Sequence, residues 1–144
     1  MSSSNTIDRP AVIDRLSCAL NAHDVESLVA CFHSDYESLH PLHPERNSQG
    51  LAGVRHSWAC VFDAIPDFQA ELCRCAVAGD EVWTEWQWQG KHVDGPSFYA
   101  GGVMIFGLAD DQLRWARVYT ETVQIIGPDF DQILEEILSR EAEW

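Results

Sequence analysis

Apolar residues Val12, Ile13, Leu16, Ala19 and Leu20 fall at three- and four-residue steps, the period of a helix that buries one stripe. Asp8 and Pro10 supply helix-start chemistry before it. Asp24 can cap a second, shorter helix carrying Leu28, Val29 and Phe32, with Asn21 to His23 as the bend of a helical hairpin. A short strand is expected over Tyr36 to His40, and a loop over His40 to Gly50, which holds two prolines, an asparagine and a glycine. Leu51, Val54, Trp58, Val61, Phe62 and Ile65 mark a third helix that Pro66 stops. From Asp67 onward the period changes. Gln69 to Val77, Val82 to His92, Phe98 to Leu108 and Leu113 to Gln124 are long runs rich in aromatic and β-branched residues. Gly79-Asp80 and Asp110-Asp111 suit tight turns, Asp94-Gly95-Pro96 breaks the middle pair, and an antiparallel meander is the simplest topology. Gly101-Gly102 suggests a bulge that bends the sheet. Pro128 and Asp129 open a last helix, with Phe130, Ile133, Leu134, Ile137 and Leu138 on one stripe.

Helices first and strands afterwards predict an α+β fold, because a parallel sheet needs crossover helices between its strands. The 144 residues, 46% hydrophobic, suffice for one domain over 1–144, with 1–7 as a polar arm. A formal charge of −14 repels phosphate backbones and anionic lipid, so neither a nucleic acid nor a membrane is expected as a partner. The acidic tail, with Asp129, Asp131, Glu135, Glu136, Glu141 and Glu143 against Arg140, reads as a solvated helix face. Met1 to Asp8 lacks the apolar stretch of a secretory signal, and the five cysteines are odd in number, so reduced thiols and a cytoplasmic location are expected. No apolar run approaches the roughly 20 residues that span a bilayer. Cys73 and Cys75 would share a strand face, where packing explains them better than a metal does.

Strand parity is where the candidate chemistry arises. In the last run Leu113, Trp115, Arg117, Tyr119, Glu121 and Val123 alternate with Arg114, Ala116, Val118, Thr120, Thr122 and Gln124. If the larger side lines a concave interior, Arg117, Tyr119 and Glu121 become polar heads in an aromatic hollow, as an organic-ligand site requires. The competing reading makes Arg117 and Glu121 a half-exposed ion pair without catalytic meaning. Trp86 and Trp88 share a face of their own strand and, beside Trp115, Tyr119 and Phe106, would form a flat wall for a ring system, although core packing is the default explanation of any single tryptophan and only the coincidence with polar groups favours the pocket. Trp58 and His43 are added to this substrate-binding set. Small environmental shifts place a histidine pKa near working pH, so His40 paired with Glu121 is the expected acid-base couple, and His92 is structural or rim-lining. No two histidines stand one helical turn apart with a carboxylate, so no metal is expected; no P-loop, nucleophile elbow or dinucleotide fingerprint occurs.

Four phrases resemble the nuclear transport factor 2-like superfamily, in particular its SnoaL-like branch of polyketide cyclases and ketosteroid isomerase-like proteins. They are Asn21-Ala22-His23-Asp24, then Gly53-Val54-Arg55 leading to Ile65-Pro66-Asp67, then Trp88-Gln89-Gly90-Lys91-His92 with Gly95, and Arg117-Val118-Tyr119-Thr120-Glu121. The resemblance covers roughly residues 10–127. It implies a cone-shaped curved antiparallel sheet, an α+β half-barrel, wrapped around the N-terminal helices, a deep pocket, and a homodimer through the outer sheet face. It also places Glu121 where SnoaL-like enzymes carry an acid-base aspartate, and His40 where ketosteroid isomerases carry theirs. Trp86 and Trp88 stand where epoxide hydrolases carry arginine and aspartate, which argues against epoxide opening.

The function expected is cofactor-independent acid-base catalysis on a cyclic or polyketide-like carbonyl compound, by cyclisation, isomerisation or dehydration. His40 and Glu121 would move the proton while Tyr119 and Arg117 steady an enolate. The partner expected is a small hydrophobic or aromatic molecule, and no cofactor is needed because neither hydride nor electrons move. The alternative is a pocket that binds a ligand, or a sheet face that binds a partner, without turnover.

Overall fold

The computed structural model describes residues 9–123 and 137–139. The first helix, α1 (Ala11–Ala22), starts after Pro10 and buries Val12, Ile13, Leu16, Ala19 and Leu20, the stripe its spacing predicts. It ends on His23 in the left-handed region, and Asp24 then caps α2 (Val25–Val29) by accepting the Ser27 N–H. Phe32 is not part of α2 as expected. Ala30 ends the helix, and Phe32 opens β1 (Phe32–Leu39), which is longer than the Tyr36 to His40 strand the sequence suggested. The bend also fastens the hairpin to the sheet. The Asn21 amide exchanges two hydrogen bonds with the Ala70 backbone, at 2.9 and 2.8 Å, and His23 Nε2 lies 2.7 Å from the Phe68 carbonyl.

After β1 the chain passes through a single 3-10 turn (Pro44–Arg46) and the two-residue β2 (Ser48–Gln49) into α3 (Leu51–Ala64). Then come β3 (Gln69–Ala78), β4 (Glu81–Lys91), β5 (Ser97–Ala109) and β6 (Gln112–Thr122). Asp110 and Asp111 both have positive φ, the conformation of a two-residue hairpin turn that matches strand twist. The six strands form one sheet in the order β2-β1-β6-β5-β4-β3. β3 to β6 are the expected antiparallel meander. β1, however, lies parallel to β6, so the curved, unclosed sheet is mixed rather than antiparallel throughout. Short turns force antiparallel neighbours only between consecutive strands, and β1 reaches β6 from the far end of the chain.

Three further expectations are corrected by register. Gly101 and Gly102 pair without a slip on both sides, so the bulge expected there does not form. Bulges occur at Cys73, passed over between the Leu72 and Arg74 pairs, and at Arg114, passed over between the Leu113 and Trp115 pairs. The first leaves Cys73 exposed while Cys75 packs against the core, so the two thiols do not form a matched pair. The second reverses the parity of β6. Leu113 is buried, but Ala116 and Val118 follow it inward, not Trp115 and Arg117. Trp115 instead lies over Gly107, where an added Cβ would fall 2.0 Å from its indole.

Trp86, Phe106, Phe68, Ile13, Leu20, Leu28 and Leu113 are among the most deeply buried side chains of the core between the concave face and the helices. Burial of each such residue stabilises the fold by about 1.5–3 kcal/mol. The Trp86 indole N–H donates to Thr84 Oγ1 at 2.7 Å, and that hydroxyl donates to the Met104 carbonyl at 2.7 Å, so this buried polar chain is satisfied. No helix among the described residues is long and apolar enough to cross a membrane. The expected last helix falls mostly outside the described residues; 137–139 are helical, with Ile137 and Leu138 exposed.

Gly102 has φ +138, and a Cβ there would meet the Tyr119 carbonyl oxygen at 2.2 Å. Gly102→Ala is expected to destabilise the domain by about 2–4 kcal/mol, read as a lower urea midpoint, whereas Gly79→Ala, in open space, should cost about 1 kcal/mol.

Candidate active site

A cavity of about 250 Å³ lies between the helices and the concave sheet face. Its apolar wall draws on Leu16 and Leu20 of α1, Trp58 and Val61 of α3, and Trp86, Trp88, Met104, Phe106 and Val118 of the sheet. Trp58 meets Trp88 edge to face with centroids 5.7 Å apart, which fixes both rings. Polar groups gather at the opposite end. Tyr36, Ser38 and His40 follow one another at two-residue steps along and just beyond β1, so all three reach the same side. Arg46, Ser48 and Thr120 join them, and Ser57 of α3 adds a further hydroxyl to the lining.

The connection after β1 is a hydrogen-bonded unit. The His43 N–H donates to the His40 carbonyl and the Arg46 N–H to the His43 carbonyl, both at 2.9 Å. The His40 N–H donates to Asn47 Oδ1 at 2.7 Å, and the Gly50 N–H returns to the Tyr36 carbonyl at 2.7 Å. These bonds hold the backbone that carries His40 and Arg46. Desolvation lowers the His40 pKa below its ordinary 6.5, the Arg46 and His43 charges push it the same way, and Glu45 opposes them. His40 Nε2 lies 3.2 Å from Ser38 Oγ. Burial pushes the Tyr36 phenol up to about 12, with the Ser38 hydroxyl partly opposing the shift, so Tyr36 stays a hydrogen-bond donor at neutral pH.

His40, Trp58, Trp86, Trp88 and Phe106 line this cavity as the sequence suggested. Trp115, Arg117, Tyr119 and Glu121 do not, because the Arg114 bulge turns them to the other face. Nor does the structure couple His40 to Glu121. Glu121 Oε2 contacts His43 Nε2 at the rim and lies 3.5 Å from an Arg46 nitrogen, with all three side chains partly exposed. His43 therefore stands outside the lining, as the partner of Glu121 and, at 3.6 Å, of Glu45. His92 packs edge-on against Phe98 and does not line the cavity. Tyr36, Ser38, Arg46, Ser48, Ser57 and Thr120 were missed. The signal for the first two was the period-two run Tyr36, Ser38, His40; Arg46 had none, because loop geometry alone brings it in. Among the described residues no three His, Cys, Asp or Glu side chains cluster as a metal site.

A profile described as a SnoaL-like domain matches residues 13–118. The chain belongs to the SnoaL-like family. No curated protein matches it in sequence. Among solved structures, this SnoaL-like domain is similar to AclR, a proposed hydroxylase from Streptomyces galilaeus, at 14% identity and TM-score 0.70, covering 95% of this chain and 93% of that one. It is also similar to a proposed SnoaL-like polyketide cyclase from Jannaschia sp. CCS1, at 19% identity and TM-score 0.66, covering 77% and 83%. A protein with a ketosteroid isomerase-like fold from Catenulispora acidiphila, in complex with trimethylamine, aligns at 15% identity and TM-score 0.67 over 76% and 85%. At such identities the likeness extends to the fold of the SnoaL-like domain.

Val118→Phe should fill the cavity and abolish binding of a neutral naphthol followed by tryptophan quenching, at a stability cost of about 1–3 kcal/mol. Tyr119→Phe, on the other face, should leave that binding unchanged.

Proposed function

We propose that this SnoaL-like domain is a cofactor-independent acid-base enzyme that moves a proton next to the carbonyl of a cyclic or polyketide-like compound. The supporting observation is His40, a base held neutral at the polar end of an otherwise apolar, ring-lined cavity. The substrate's rings lie against Trp58, Trp86, Trp88 and Phe106, and its carbonyl points to the β1 end. His40 removes the α-proton. The Tyr36 hydroxyl and the Arg46 guanidinium donate to the developing enolate oxygen, where a preorganised donor is worth most. The protonated His40 then returns the proton to another atom of the substrate, or to a leaving hydroxyl, and is neutral again. Glu121 acts here as a positioning residue: from the rim it neutralises Arg46 and holds His43, fixing the connection on which His40 is mounted. Arg117 and Tyr119 take no part in the chemistry.

A binding module without turnover is the second reading. It is favoured by a lining without any carboxylate among the described residues, since enolising sites commonly use one as base. Exchange of α-hydrogens for deuterium in cyclic 1,3-diketones and aryl ketones, followed by NMR, separates the two. Catalysed exchange should fall on the acid side with a midpoint below 6.5, and His40→Asn should remove that limb and slow exchange by about 10²–10⁴. Glu121→Gln should reduce the rate less and leave the limb in place. Tight naphthol binding with no exchange above background would leave only the binding module. The depressed pKa also makes folded His40 the weaker proton acceptor relative to the unfolded chain, so stability should decline as pH falls from 6.5 toward the folded value.

The same proposal places the protein in a reducing cytoplasm as a homodimer joined through the outer sheet face, where Trp83 and Tyr99 are about half exposed. Sedimentation should give a dimer at micromolar concentration that Trp83→Glu dissociates; a wild-type monomer would remove this part of the proposal.

A further inference from the structure

The outward side of α3 carries a pair that the cavity does not use. His56 and Cys60 stand one helical turn apart, both exposed, while Val54, Trp58, Val61 and Phe62 occupy the inward side. His56 Nε2 and Cys60 Sγ are 3.7 Å apart. A tetrahedral ion bound at ~2.0–2.1 Å from an imidazole nitrogen and ~2.3 Å from a thiolate sulfur needs those two atoms about 3.5 Å apart. The pair already spans that bite to within a few tenths of an ångström.

The geometry points to a surface site at which His56 and Cys60 chelate one borderline-soft divalent cation, Zn²⁺ or its surrogate Co²⁺. Binding replaces the thiol proton, which leaves to solvent, by the ion; nothing is oxidised or reduced. Imidazole with thiolate selects this class over Mg²⁺ and Ca²⁺, which require oxygen ligands. The strongly negative chain raises the local concentration of any divalent cation. Two coordination positions remain for water or an external ligand, because no third protein ligand clusters with the pair among the described residues. The site is therefore weaker than a four-ligand structural centre, and exchangeable.

The other cysteines provide internal controls. Cys31 is buried, Cys75 packs against the core, and the exposed Cys73 turns toward the Glu71 carbonyl at 3.8 Å. Titration of the reduced full-length chain with Co²⁺ should produce a saturable thiolate-to-cobalt charge-transfer band at one ion per chain, bleached by added Zn²⁺. Cys60→Ser should abolish the band. His56→Gln should weaken binding at least tenfold, while Cys73→Ser and Cys18→Ser should leave it unchanged. All four positions are exposed, and an unaltered far-ultraviolet dichroism spectrum checks that each variant is folded. A band that survives Cys60→Ser, undiminished affinity in His56→Gln, or no saturable band in the wild type would overturn the assignment.

Discussion

Arg114 has no partner on β5, and this single extra residue decides what the cavity receives from β6. Upstream of it Leu113 points into the core; downstream the alternation restarts out of phase, so that Val118 and Thr120 line the hollow. Two contacts hold the slip in place. The Arg114 guanidinium donates to the Asp35 carbonyl of β1 at 2.6 Å, and the Trp115 indole occupies the space that Gly107 leaves on the other face. An unslipped strand would drive Trp115 and Tyr119 into a space already walled by Trp86 and Phe106. The hollow exists because the largest side chains of β6 are kept out of it.

That exclusion gives the cavity its division of labour. Four of its rings come from α3, β4 and β5, whose positions are set by core packing, while most of its polar groups come from β1 and the connection that follows it, with Thr120 added from β6 and Ser57 from α3. The Thr84 relay keeps the Trp86 indole nitrogen satisfied within the protein, so this ring presents only apolar surface. Tyr36 and His40 sit where desolvation favours their uncharged forms, and Arg46 brings the positive charge that a developing oxyanion needs. Glu121 balances that charge from outside without adding a carboxylate to the lining.

The elements were legible because each rests on a local signal: the spacing of Val12 to Leu20, the Asp24 cap, the Pro66 stop, and the paired aspartates at 110 and 111. The tryptophans of β4 were legible for the same reason, since Val82 to Trp88 alternates without interruption and Trp86 is buried as its parity requires. β6 was not legible. A bulge is a property of two strands together, and neither Arg114 nor its neighbours carry a mark of it that period-two reading detects. Arg46 and the coupling of Glu121 to His43 escaped for a related reason, because the path from His40 to Gly50 is fixed by backbone hydrogen bonds to Asn47 and Tyr36 that have no periodicity. The parallel placement of β1 is likewise a long-range choice that adjacent-strand rules do not reach.

That placement bears on how the chain acquires its fold. Phe32 finds its sheet neighbour in Leu113, about eighty residues later, so the strand that carries the polar end of the hollow cannot dock until nearly all of the sheet has been made. A ribosome releasing this chain emits the helical hairpin and β1 well before β6, with Leu16, Leu20, Phe32 and Tyr36 lacking their eventual cover. Loop closure of that length is entropically slow, and unpaired strand edges invite association in the meantime. The late-forming seam between β1 and β6 is therefore where a nascent copy is most exposed to aggregation, and where a chaperone has the longest interval to act.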